Sequence, residues 1–320
     1  MLKNALLLAF VLLMMELVCH RFGYLPHYLT TEENPMGVRD EILGWRMIPQ
    51  EDEFSVGTGT KFRLSSLSDN TRGVGRSYGT QGRADILVIG DSAMWGWGVD
   101  DDQSLGGRLA RIYPDRVVVN GAVPGYGTLQ SILQLEQILQ TRKTSLVILG
   151  VGDYLAQRDH AALTWIKIVS DLAPSGNIYL PLASVGPDGQ LEIHPARELL
   201  IEIPGRRYSG LLRMIEMALA APGAVSRARQ ADELTRALYE KLRHIADRKG
   251  FNVLLLDWRR QPVGEQWINF WRSLGLHYVR CSHPQTETPE GLIPGDTHPK
   301  AEIINYWADC LSQFIDDNRL

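Results

Sequence analysis

Five short runs of uninterrupted aliphatic residues constrain this chain more than anything else in it: DILVIG (Asp85–Gly90), RVVVNG (Arg116–Gly121), SLVILG (Ser145–Gly150), NVLLLD (Asn252–Asp257) and LHYVRC (Leu276–Cys281). A strand with one wet face alternates apolar and polar residues, whereas a run without alternation suits a strand covered on both faces. Between the runs lie amphipathic segments: TLQSILQLEQILQTRK from Thr128, SRARQADELTRALYEKLRHIADRKG ending in Gly250, and PKAEIINYWADCLSQFI from Pro299. That alternation predicts βαβ units around a central parallel sheet, an α/β architecture in layers. Gly250 is expected to cap one helix at its C-terminus and Pro299 to occupy the first turn of another. From Tyr154 to Pro222 the pattern breaks. The Gly-Pro-Asp-Gly turn within NIYLPLASVGPDGQLEIHP predicts a small hairpin inserted above the sheet.

The first 20 residues carry the clearest address. Lys3 precedes ALLLAFVLLMMELVC (Ala5–Cys19), interrupted only by Glu16. At 1.5 Å per residue this run covers about 22 Å of a roughly 30 Å hydrocarbon layer, which suits a signal peptide. ELVCHRFGY, however, offers no small-x-small cleavage site, so an uncleaved anchor is the first expectation and a removed signal the second. Either one exports the body of the protein, leaving it membrane-anchored facing the periplasm or cell exterior, or secreted. Residues 21–83, rich in Gly, Ser, Thr and charge, read as a lead-in that packs on a main domain at 84–320.

A net charge of −4 with no basic stripe argues against nucleic acid as a partner. Cys19, Cys281 and Cys310 show no C-x-x-C pair, so neither a zinc site nor a disulfide scaffold is expected. Cys310 lies at helical spacing among Ile303, Trp307, Leu311 and Phe314 and reads as a small core residue.

In an open parallel sheet, ligands bind beyond the carboxyl ends of the strands. Ser92 follows the first run there, Asn120 and Gly125 the second, and Asp153 the third, while Asp296 and His298 precede the last helical segment. A serine becomes nucleophilic when a histidine can take its proton and a carboxylate orients that histidine. In GDTHP (Gly295–Pro299), residues two apart in an extended segment share a face, so Asp296 and His298 can act together. Asp91 is expected to brace the loop beside Ser92. Asp153 reads as a helix N-cap or loop brace, and Trp95 and Trp97 as core residues.

Taken together, VIGDS (Val88–Ser92), NGAVPGYGT (Asn120–Thr128), VILGVGDYL (Val147–Leu155) and the segment from Asp296 resemble four ordered blocks of the SGNH hydrolases, the GDSL esterases and lipases. The resemblance implies a flavodoxin-like three-layer α/β/α fold and a catalytic triad of Ser92, Asp296 and His298. It also implies an oxyanion hole from the backbone N–H groups of Ser92 and Gly125, with no metal or organic cofactor. The third block departs from the family pattern, because Gly152 stands where an asparagine normally donates to the oxyanion. Either Asn120 or a backbone N–H near Gly152 is expected to fill the hole, or the resemblance implies a slow enzyme or one with a specialised acceptor. Asp-Thr-His is also similar to the triad segment of alginate-type O-acetyltransferases, which implies acetyl esters of carbohydrate. Three functions follow: a serine esterase on small acyl esters of an envelope or extracellular polysaccharide, an O-acyltransferase using the same acyl-serine, and a non-catalytic binding or assembly module.

Overall fold

The five aliphatic runs meet in one sheet. In a computed structural model describing residues 2–24, 36–76, 82–172, 178–201 and 203–320, they form β1 (Gly82–Ile89), β2 (Val118–Asn120), β3 (Arg142–Val151), β4 (Asn252–Asp257) and β5 (His277–Arg280). The spatial order is β5-β4-β3-β1-β2 and every pairing is parallel. Read from the other edge this is 2-1-3-4-5, the flavodoxin-like order, whose switch point lies between β1 and β3.

The helices that matter for the layers and the site are α1 (Leu2–Arg21), α2 (Leu105–Ile112), α3 (Thr128–Thr141), α4 (Gly210–Ala228), α5 (Ala231–Lys249), α6 (Glu265–Ser273) and α7 (Ala301–Asn318). Because strand side chains alternate between faces, Ile86, Val88, Ile148 and Leu256 pack with Leu105 and Leu109 of α2 and Ile304, Trp307 and Leu311 of α7. Their neighbours Leu87, Val147, Leu149 and Leu255 point the other way, against Ile132 of α3, Leu238 and Leu242 of α5 and Trp271 of α6. Both faces are covered, giving three layers and accounting for the absence of polar alternation. The inserted hairpin forms from Tyr179–Val185 and Leu191–Glu198, paired antiparallel across the expected turn. Gly250 caps α5 in the left-handed conformation, as its spacing predicts.

Two expectations are corrected. Pro299 does not begin α7: the helix starts at Ala301, and Pro299 instead bridges back to Leu292, closing a loop around Asp296 and His298. Cys310 is not a simple core residue but is bonded to Cys281, with Cα atoms 5.8 Å apart across 29 positions. The end of β5 meets α7 only in the folded chain, so sequence spacing could not display the pair.

Of the expected lead-in, residues 25–35 and 77–81 lie outside the described residues, as do 173–177 and 202 of the expected insertion. The lead-in's described part forms two antiparallel hairpins, Gly37–Asp40 with Gly44–Met47 and Gln50–Val56 with Thr60–Ser66. Phe62 and Leu64 of the second are buried in the core on the α2 and α7 face.

Candidate active site

The loop after β1 turns directly into a one-turn helix, Ser92–Trp95. Asp91 caps it, its Oδ1 accepting from the Ala93 N–H at 3.0 Å. The other oxygen, Oδ2, accepts from the Tyr154 hydroxyl at 2.8 Å and from Arg158 Nη1 at 3.1 Å. Burial, then the charge of Asp91, push the Tyr154 phenol upward, so it remains a proton donor. Asp91 therefore fixes the serine turn from behind and does not face outward.

Ser92 Oγ lies 2.7 Å from His298 Nε2, and His298 Nδ1 lies 2.6 Å from Asp296 Oδ1. A carboxylate only accepts, so the imidazole proton belongs on Nδ1; this leaves Nε2 as the acceptor for the serine hydroxyl. Asp296 Oδ1 also accepts the backbone N–H of His298 at 2.7 Å. Burial works against ionising Asp296, but the hydrogen bonds and charge of His298 prevail and hold its carboxyl below the ordinary range. The remaining side of the imidazole rests near Trp97, with ring centroids 5.7 Å apart. Trp95 is core, as expected, whereas Trp97 is half-buried and forms a wall of the site.

Gly125 sits in a turn hydrogen-bonded to the loop that leads into Ser92, through Val123 N–H and Gly90 C=O at 3.0 Å. Its φ of +84° suits glycine, and a Cβ there would stand 2.9 Å from the Trp45 ring. Trp45 is itself held by donating from Nε1 to the Pro124 carbonyl at 3.0 Å.

Asn120 does not serve as the substitute oxyanion donor. Its amide donates to the Met94 and Trp95 carbonyls, both at 3.2 Å, and its oxygen accepts from Ala122 N–H, so the fully buried side chain is spent on bracing the serine helix. At Gly152, a Cβ would fall 2.5 Å from the Tyr154 ring. The aromatic ring thus fills the space an asparagine side chain would enter, and only backbone can serve at that position. Asp153 occupies the N-cap of the short helix Tyr154–Asp159 without a side-chain capping bond and is exposed.

Sequence reasoning missed two contributors from the lead-in. Arg72, buried, donates to the carbonyls of Trp95, Gly96 and Val99 while Asp101 pairs with its Nε at 2.8 Å, so it ties down the chain leaving the serine helix. The turn joining the second lead-in hairpin grips the triad loop: Thr58 donates its backbone N–H, at 2.9 Å, and its hydroxyl, at 3.2 Å, to the Pro294 carbonyl. Neither residue stands out in a polar, glycine-rich stretch; only the fold gives them meaning. Among the described residues no group of His, Cys, Asp and Glu side chains is placed to hold a metal ion.

No family model and no curated protein matches this sequence. Among solved structures the chain is similar to TesA at 16% identity and a TM-score of 0.39, covering 74% of this chain and 99% of that one. It is similar to a protein from Desulfitobacterium hafniense assigned to the G-D-S-L lipolytic family at 13% identity and a TM-score of 0.39, covering 72% of this chain and 98% of that one. It is also similar to a GDSL-like lipase from Bacteroides thetaiotaomicron at 10% identity and a TM-score of 0.33, covering 74% of this chain and 88% of that one.

Proposed function

We propose that the protein is a serine ester hydrolase of the SGNH type, acting on small acyl esters, acetyl first, of an envelope or extracellular polysaccharide. The observation that carries the chemistry is the continuous relay from Ser92 through His298 to Asp296, with both links under 3 Å. His298 takes the Ser92 proton as the hydroxyl attacks the ester carbonyl, and Asp296 stabilises the imidazolium that forms. The imidazolium then gives its proton to the departing sugar alkoxide, leaving acyl-Ser92; water attacks in the same way and releases the acid. Backbone N–H groups at Ser92, Gly125 and near Gly152 are the donors assigned to the developing oxyanion. Without a side-chain donor at position 152, the expected turnover is lower by about 10²–10³ than with one.

The carbohydrate substrate rests on the resemblance of the Asp-Thr-His segment and on the export expected from the N-terminus. Transfer of the same acyl group to a sugar hydroxyl is a coarser alternative with no observation of its own. The deciding experiment is acetate release from a panel of acetylated glycans and aryl esters, together with fluorophosphonate labelling. Ser92→Ala should abolish both signals and His298→Ala should cut both by several orders of magnitude. Wild-type behaviour from either variant refutes the assignment.

A further inference from the structure

Helix α1 is not a free tail. Its single internal acid, Glu16, accepts from the Ser209 hydroxyl at 2.8 Å, the Leu211 N–H at 3.1 Å and the Gly210 N–H, the groups that open α4. One turn on, Cys19 is buried with its Sγ 3.8 Å from Met214 Sδ. Tyr24 then packs on the small core beneath the inserted hairpin. The fit is close enough that a Cβ on Gly210 would stand 2.0 Å from the Tyr24 carbonyl oxygen. A negative side chain on the first N–H groups of a helix meets both their missing acceptors and the positive end of the dipole.

The docking point lies within the apolar helix itself. All of α1 is 20 residues, about 30 Å, which matches a hydrocarbon layer, and it is apolar enough to cross one. Glu16 stands only about 8 Å before the C-terminal end of that length. With α1 across a bilayer, the opening of α4 that Glu16 holds therefore lies at membrane level. Around that point the surface carries several large apolar side chains, with Arg21 exposed beside them. Ile215 and Leu219 continue from Leu211 along one stripe of α4, and both are exposed, as are Phe22, Tyr208 and Ile201. Ile201 lies close to α4 in the chain, since the Ile203 N–H donates to Glu216 of that helix at 3.2 Å.

We propose that this face, the opening turns of α4 with Phe22, Ile201 and Tyr208, is seated in the interfacial layer of the bilayer, and that α1 is retained. The domain then lies on the membrane and is not suspended above it on a tether. The inference stands apart from the proposed catalysis.

The test uses the full-length chain with Cys19→Ala and one added cysteine, Ile215→Cys, Leu219→Cys or Gln313→Cys. Each is labelled with an environment-sensitive dye and reconstituted into phosphatidylcholine–phosphatidylglycerol vesicles. Gln313 is exposed on α7 and reports the aqueous side. Circular dichroism melting before reconstitution identifies folded variants independently of activity. Lipids brominated high on the acyl chain should quench the dyes at 215 and 219 several-fold more than at 313, with aqueous iodide giving the reverse order. Equal iodide quenching at all three positions overturns the proposal. So does protection at 215 and 219 in native membranes but not in vesicles, which would assign the face to a protein partner. Recovery from cells of a mature chain beginning after Tyr24 also overturns it.

Discussion

Two glycines in one turn permit a clean test of how the triad loop is held. Gly57 and Gly59 flank Thr58, and both have positive φ, +60° and +98°. Alanine at either position pays the left-handed penalty, about 1–2 kcal/mol. The two differ in what the added methyl group meets. At Gly59 nothing lies within 4 Å, whereas at Gly57 a Cβ would stand 2.1 Å from the Pro294 carbonyl oxygen. Restoring an ordinary contact moves that carbonyl by about 1 Å. Pro294 is two residues from Asp296 and four from His298, and the His298–Ser92 contact of 2.7 Å tolerates only about 0.5 Å before leaving hydrogen-bonding range. A misplacement of that size costs on the order of 10²-fold in rate. Gly57→Ala should therefore lose about two orders of magnitude in kcat/KM and in fluorophosphonate labelling, while Gly59→Ala loses a comparable amount of thermal stability with near-normal turnover. Equal kcat/KM for the two variants would refute the view that the lead-in turn positions the acid and base.

Three further outcomes are expected. Replacing Cys281 and Cys310 together by serine opens a 29-residue loop, and chain entropy puts the loss at about 3–4 kcal/mol, seen as a lower melting temperature that reductant no longer shifts. Asp159 is fully buried and its carboxyl is pushed up from 3.8 to about 6, chiefly by desolvation. The folded state binds that proton more tightly than the unfolded chain, so stability should fall by about 3 kcal/mol as pH rises from about 4 to 6 and then level off. Asp159→Asn should remove this slope in melting curves taken across that range, and an unchanged slope would assign it elsewhere. Gly152→Asn should not raise turnover, because the Tyr154 ring occupies the space its side chain needs; a gain in kcat would show that the ring yields.

The layered sheet was legible because continuous aliphatic runs have few other uses in a chain of this length, whereas the order of its strands was implied only by the resemblance and is set by the fold. Ser92, Asp296 and His298 were legible as residue types at loop ends, although their convergence from positions about 200 residues apart is a property of the tertiary fold. The rest was hidden for identifiable reasons. Asn120 looked like a free donor because nothing in the sequence reveals that the Met94 and Trp95 carbonyls end against its amide. Trp97 looked like core because aromatic residues near strand ends usually are, and its packing beside His298 depends on a loop almost at the other end of the chain. The disulfide was invisible for the same reason, since pairing needs proximity and not spacing.

Arg72 sets a practical limit on where this chain can be trimmed. A fragment beginning at residue 84, where the regular βα pattern starts, would discard the guanidinium that donates to the oxygens of Trp95, Gly96 and Val99, together with Phe62 and Leu64 of the core. Among the described residues the Val99 oxygen would lose its partner, at about 1–3 kcal/mol, while Trp95 and Gly96 would keep only the bonds from Asn120 and the Val99 N–H; losing the burial of Phe62 and Leu64 removes about 1.5–3 kcal/mol each, together a large part of a typical domain's margin. The smallest piece able to hold its serine in register consequently starts upstream of the sheet, and expression boundaries drawn from the repeating pattern alone would cut through the scaffold.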